Sequence, residues 1–147
     1  MAALVAMREK GIALPACAAC IAPLLDLTGD YPCTNPTSCA MFLREDGLAF
    51  AKIYLNGASP KSLLASPLHA DMKGMPPLLI QVAEKELLFD DAVRLQEKAK
   101  ASGVDSRLHI YPRLSHDWHM LVGTVPEAKV ALHEIADFVK EKLRVNS

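Results

Sequence analysis

The sequence predicts an α/β chain, a parallel sheet of three strands with helices flanking it. Three observations carry this expectation. Helix-like and strand-like segments alternate along the chain. PLLIQVA at 77–83 is apolar everywhere except Gln81. Residues 87–102 and 126–143 both repeat their apolar residues at helical spacing.

Taken in order, AALVAMREK at 2–10 has the character of a helix end, with Arg8 and Lys10 in its last turn and Gly11 as the stop. No Ser, Thr, Asp or Asn caps its start, and about two turns are too few to stand alone, so its beginning is expected to lie before Met1. PACAACIAP at 15–23 is a short apolar run between prolines, expected as a buried strand. A loop rich in Pro, Thr, Asn and Cys runs from Leu27 to Ser38. Asp46 is expected to cap a helix, GLAFAKIYL, that stops at Asn56-Gly57. A proline-punctuated connection, 59–77, leads to the second strand, PLLIQVA.

In the next helix Leu88, Ala92, Leu95 and Ala99 form one stripe, with Asp90 and Asp91 in the first turn and Lys98 and Lys100 in the last. Gly103 ends it. SRLHIY at 106–111 alternates, setting Leu108 and Ile110 against Arg107, His109 and Tyr111, as an edge strand with one wetter face would. The final helix is expected to bury Ala128, Leu132, Ile135, Val139 and Leu143.

The chain has 147 residues, 51% hydrophobic and 22% charged, enough for one domain with a sizeable core. A net charge of −1 gives no reason to expect a nucleic acid or an anionic membrane as partner. No apolar run reaches the roughly 18 residues of a membrane span, and the first residues lack a signal-peptide pattern. The four cysteines are too few for a disulfide scaffold, which points to a reducing, cytoplasmic setting. Cys17 and Cys20 form a CxxC within an apolar strand, where positions three apart face opposite ways, and Pro23 rather than a helix follows. Together with Cys33 and Cys39 they are read as small hydrophobes, not as zinc or redox ligands.

In parallel sheets ligands meet the loops beyond the carboxyl ends of the strands. Two such loops stand out. VAEKELLFDD offers Glu84, Glu86, Asp90 and Asp91; YPRLSHDWHML offers His116 and His119. An acid after one strand and a histidine after its neighbour is the base-plus-orienter half of a catalytic triad. The plainer readings make Asp90 and Asp91 helix-end charges, Glu84 a solvated acid, and Trp118 and His119 packing residues.

PLLDLT at 23–28, the long stretch from Tyr54 to Val104, and YPRLSHDWH at 111–119 carry a resemblance. They are similar to the C-terminal half of α/β-hydrolases of the hormone-sensitive-lipase-like esterase family, and within it to the monoterpene ε-lactone hydrolase subgroup. The resemblance implies the C-terminal part of an α/β-hydrolase fold, with residues 1–147 a single partial domain. It implies His116 as triad base and Glu86 as triad acid, with Asp90 as fallback and Asp26 as a structural residue. It also implies small apolar esters or lactones as substrates and no metal or cofactor.

The family's serine sits in a G-x-S-x-G elbow, and its oxyanion loop is glycine-rich. Ser59 lacks the second glycine, Ser66 precedes a proline, and Ser102 lies at a helix end. No two glycines are adjacent. MAALVAMREKGIALPAC resembles the helix after the elbow, so the serine is expected a few residues before Met1 and the chain alone is expected to be inactive. A non-catalytic hydrolase-derived binding protein and a nonfunctional gene fragment are the alternatives. The strand 15–23 would then present an open sheet edge, through which oligomerisation or aggregation is expected.

Overall fold

The computed structural model describes residues 1–30 and 41–144. Its elements are α1 (Ala2–Glu9), β1 (Ala18–Ile21), α2 (Arg44–Leu55), β2 (Leu78–Ala83), α3 (Phe89–Ala101), β3 (Ser106–Tyr111) and α4 (Pro126–Arg144). Single 3₁₀ turns occupy Pro67–His69 and Trp118–Leu121. The strands pair in the order β1-β2-β3, both pairings parallel, with Ala18 opposite Leu78 and Ala83 opposite Tyr111. This is the expected three-stranded parallel sheet with flanking helices.

Successive strand residues face opposite sides of the sheet, and the two sides hold different cores. Leu78, Ile80 and Val82 pack with Leu4, Val5, Met72, Ala92 and Leu95, so this side lies beneath α1 and α3. The opposite side gathers Ala83, Tyr111 and Trp118 against Ala128 and Ala131 of α4. β2, the middle strand, is buried at every residue. Its central place explains why its sequence is a continuous apolar run rather than an alternation.

Four expectations need correction. β1 is not wholly buried: only Cys20 is, while Ala19 and Ile21 are exposed, because among the described residues β1 pairs with β2 alone. α2 begins at Arg44, and Asp46 lies inside its first turn, where its carboxylate reaches back to the Leu43 N–H at 2.8 Å. In β3 the side chains are reversed at the end. Ile110 is 46% exposed, whereas Tyr111 is buried against the Trp118 ring, 4.7 Å between centroids. The buried stripe of α4 is turned towards Ala128, Ala131 and Phe138, leaving Leu132 and Leu143 exposed. Small alanines let that helix approach the crowded Tyr111–Trp118 side of the sheet, which a leucine stripe would hold off.

The elements meant to stop where the sequence said they would do so. Asn56 ends α2 in the left-handed conformation, and Gly103 ends α3 at φ 73. In the last turn of α1, the guanidinium of Arg8 donates to the carbonyls of Asp71 and Lys73, tying this helix to the connection before β2.

Candidate active site

The last rung of the sheet is Ala83 opposite Tyr111, so the loops that follow β2 and β3 leave side by side. Beyond Ala83 the chain turns tightly into α3. That turn folds the Glu86 side chain back beneath the strand end, where it is fully buried. Its Oε1 accepts the Ala83 N–H at 2.8 Å, and its Oε2 lies 2.7 Å from Nδ1 of His116. A buried carboxylate has to be paired or hydrogen-bonded, and here each oxygen has a partner.

His116 arrives from the other loop. Arg113 and Asp117 both adopt left-handed backbone, at φ 59 and 53, bending the chain so that the imidazole returns towards Glu86. The hydrogen bond to Glu86 raises the pKa of His116, outweighing the opposite pull of burial. The ring keeps 20% of its surface exposed. The edge of Phe42 meets it at 5.6 Å, and a pocket of about 310 Å³ opens beside it, with Ile21, Leu24, Phe50 and Leu88 in its walls. The arrangement is an oriented imidazole, its Nδ1 held by an acid, beside an apolar pocket. Such a group can move a proton at Nε2.

Trp118 and His119, expected as packing residues, are both buried. His119 does more than pack. Its Nε2 donates to the Gln81 side-chain oxygen at 2.9 Å, and burial lowers its pKa. The Gln81 amide donates in turn to the Ala131 carbonyl and to Glu134 Oε2, each at 3.0 Å. Glu134 also accepts from the Tyr111 hydroxyl and meets His109 Nδ1 at 2.7 Å. This chain of polar groups anchors the His116 loop to β2 and α4. Sequence reasoning missed it; the available signal was the lone amide at Gln81 in an otherwise apolar strand.

The other acids take different places. Glu84 is exposed, and Asp90, the fallback acid, lies on α3 while Glu86 is the carboxylate that meets His116. Asp91 lies in the first turn of α3, as expected, but it is also buried, and its Oδ2 accepts the N–H groups of Leu25 and Asp26 at 2.6 and 3.0 Å. Burial still pushes its pKa up to about 6 against those bonds. Asp26 is buried as well. Burial alone would raise its pKa, but hydrogen bonds from Thr28, His69 and Arg94 together bring it down to about 2.

None of Ser59, Ser66 and Ser102 is hydrogen-bonded to His116. Ser66 is buried, donating to the Pro60 carbonyl at 2.6 Å and accepting the Leu27 N–H at 2.8 Å. The Ser59 hydroxyl accepts from the Lys61 N–H. Cys17 is half-buried and Cys20 buried, both free thiols, while Cys33 and Cys39 lie outside the described residues. Among the described residues no cluster of three His, Cys, Asp or Glu could hold a metal ion, and no helix is long and apolar enough to cross a membrane.

The chain is similar to known proteins over most of its length. The α/β-hydrolase-fold family matches residues 1–120. The chain is similar to the acetyl-hydrolase of Streptomyces hygroscopicus, 37% identical over 95% of this chain and 48% of that one. It is also similar to the esterase of Acinetobacter venetianus, 33% identical over 90% of this chain and 45% of that one. A crystal structure of an esterase from the bacterial hormone-sensitive lipase family superposes with a TM-score of 0.91 at 40% identity, over 96% of this chain and 48% of that one. The chain thus spans about half the length of the curated relatives it matches. With its three-stranded parallel sheet and a family model matching residues 1–120, this chain belongs to the α/β-hydrolase-fold family.

Proposed function

We propose that this chain is the acid–base portion of a serine-type carboxylic ester hydrolase, with Glu86 as the triad acid and His116 as the base. The observation that carries the reading is the 2.7 Å contact between buried Glu86 Oε2 and His116 Nδ1. The carboxylate fixes the tautomer that leaves Nε2 free to take a proton, and it stabilises the imidazolium that results.

A serine hydroxyl from residues outside these 147 attacks the ester carbonyl. His116 takes its proton and hands it to the leaving alcohol; water, activated by the same imidazole, then releases the acid. The apolar walls beside His116 favour small apolar esters, and a lactone is the finer possibility within that class. On this reading the chain has no activity of its own.

The test joins the chain to the N-terminal half of one of the similar esterases and follows p-nitrophenyl butyrate hydrolysis. His116→Ala is expected to abolish turnover. Undiminished turnover in that variant would sink the assignment. The chain by itself is expected to give no burst of p-nitrophenol, and a stoichiometric burst would locate the nucleophile within it.

A further inference from the structure

With Nδ1 taken by Glu86, Nε2 is the working nitrogen of His116, and it already has a neighbour. Oδ2 of Asp117 stands 3.3 Å away. Asp117 adopts φ 53 and ψ 34, a left-handed backbone that aspartate and asparagine tolerate better than most residues. It immediately precedes the Trp118–Leu121 turn, where an aspartate usually accepts a hydrogen bond from the backbone it caps. Its side chain makes no such bond; it turns to the imidazole instead.

The charged groups acting on His116 are Glu86, from the turn after β2, and Asp117, from its own loop. The neighbours supplied by β1 and the segments around α2 and α3, among them Ile21, Leu24, Phe42 and Leu87, are apolar. His119, further along the same loop, is turned to Gln81. The imidazole is therefore bracketed by two carboxylates, one at each nitrogen.

We propose that Asp117 is a positioning residue whose carboxylate occupies Nε2 of His116 and has to give up that nitrogen to the attacking hydroxyl. The proposal rests on reading His116 as the base. Two acids favour the imidazolium, so the free base appears only at higher pH than Glu86 alone would set. The Asp117 side chain is 45% exposed, so water screens it and its influence is the smaller of the two.

The experiment is an NMR titration of the histidine ring protons in the chain as it stands. His116→Gln identifies the His116 resonance among the five histidines. Asp117→Asn keeps a residue suited to the left-handed backbone and removes only the charge. The His116 midpoint is expected to fall in D117N, and to fall further in E86Q. Added salt should lower the wild-type midpoint and leave that of D117N less changed. An unmoved midpoint in D117N beside a fall in E86Q overturns the role of Asp117 and leaves the Glu86–His116 pair intact. A fall in D117N with none in E86Q keeps Asp117 and overturns Glu86 as the triad acid. D117E restores the charge and is expected to bring the midpoint back towards wild type; failure to do so also overturns the proposal.

Discussion

Glu86 Oε1 accepts the N–H of Ala83 at 2.8 Å, which leaves Oε2 as the oxygen that faces His116. The backbone of β2 thus orients the carboxylate that orients the imidazole. The acid is held by the end of a strand buried along its whole length, so its position is set by the most rigid part of the sheet.

Replacing Glu86 with Ala is expected to strand the Ala83 N–H and Nδ1 of His116 in a buried site. Leaving such groups unsatisfied costs about 1–3 kcal/mol, measurable as a lower midpoint in urea. Joined to a nucleophile-bearing half, E86Q should lose roughly 100-fold or more in kcat, the scale of a misoriented general base. A variant that keeps both its stability and its turnover would contradict the assigned contacts.

Acid should unfold the chain partly through Asp26. Its pKa is depressed to about 2 in the folded state, so its stabilising contribution is fully present above the ordinary carboxylate range and is lost as pH falls towards 2. A depression of this size corresponds to about 2 kcal/mol. Asp26→Asn is expected to flatten the stability-against-pH curve below about pH 4, read by denaturant melts at a series of pH values. Asp91 runs the other way. With its pKa raised to about 6, its ionisation weakens the fold as pH climbs from the ordinary carboxylate range through 6.

Gln81→Leu is expected to destabilise by about 1–3 kcal/mol, because it leaves Nε2 of the buried His119 without its acceptor. The same change should free the His116 loop from β2. Amide hydrogen exchange is expected to rise at residues 112–121 more than in α3. Equal protection in both segments would mean that the polar chain does not anchor the loop.

Among the described residues, the two sheet edges differ in protection. β3 carries Arg107 and His109, and Arg107 pairs with Glu141 of α4. β1 reads Ala-Ala-Cys-Ile, with no charge, proline or bulge. Ala19→Lys, on an exposed position of β1, is expected to shift the chain from aggregate to monomer in light scattering at high concentration. A wild-type chain that is already monomeric there would remove the premise.

Much of this was legible in the sequence, for reasons visible in particular residues. β2 could be read because a middle strand is apolar on both faces, and α3 because its stripe and its terminal charges agree. Glu86 and His116 sit thirty positions apart, so no spacing rule joins them. What joined them was their place after neighbouring strands, together with the resemblance to known hydrolases. The face of α4 was misread because leucine outranks alanine in hydropathy, whereas the Tyr111–Trp118 side demanded small residues. The exposed residues of β1 were misread because apolar composition does not tell whether a strand has one neighbour or two. The Gln81 network escaped because its members, residues 81, 109, 111, 119, 131 and 134, come from β2, β3, α4 and a turn.

The pairing of Ala83 with Tyr111 has a geometric corollary. A slip of β3 along β2 by a single residue would carry the imidazole about 3.3 Å along the strand axis, beyond reach of an acid whose own oxygen is pinned to the sheet. Length changes at the opposite rim, around Gly74 or Gly103, leave that rung where it is. The molecule therefore has a tolerant pole and an intolerant one, and insertional scanning should find the boundary between them running across the middle of the strands.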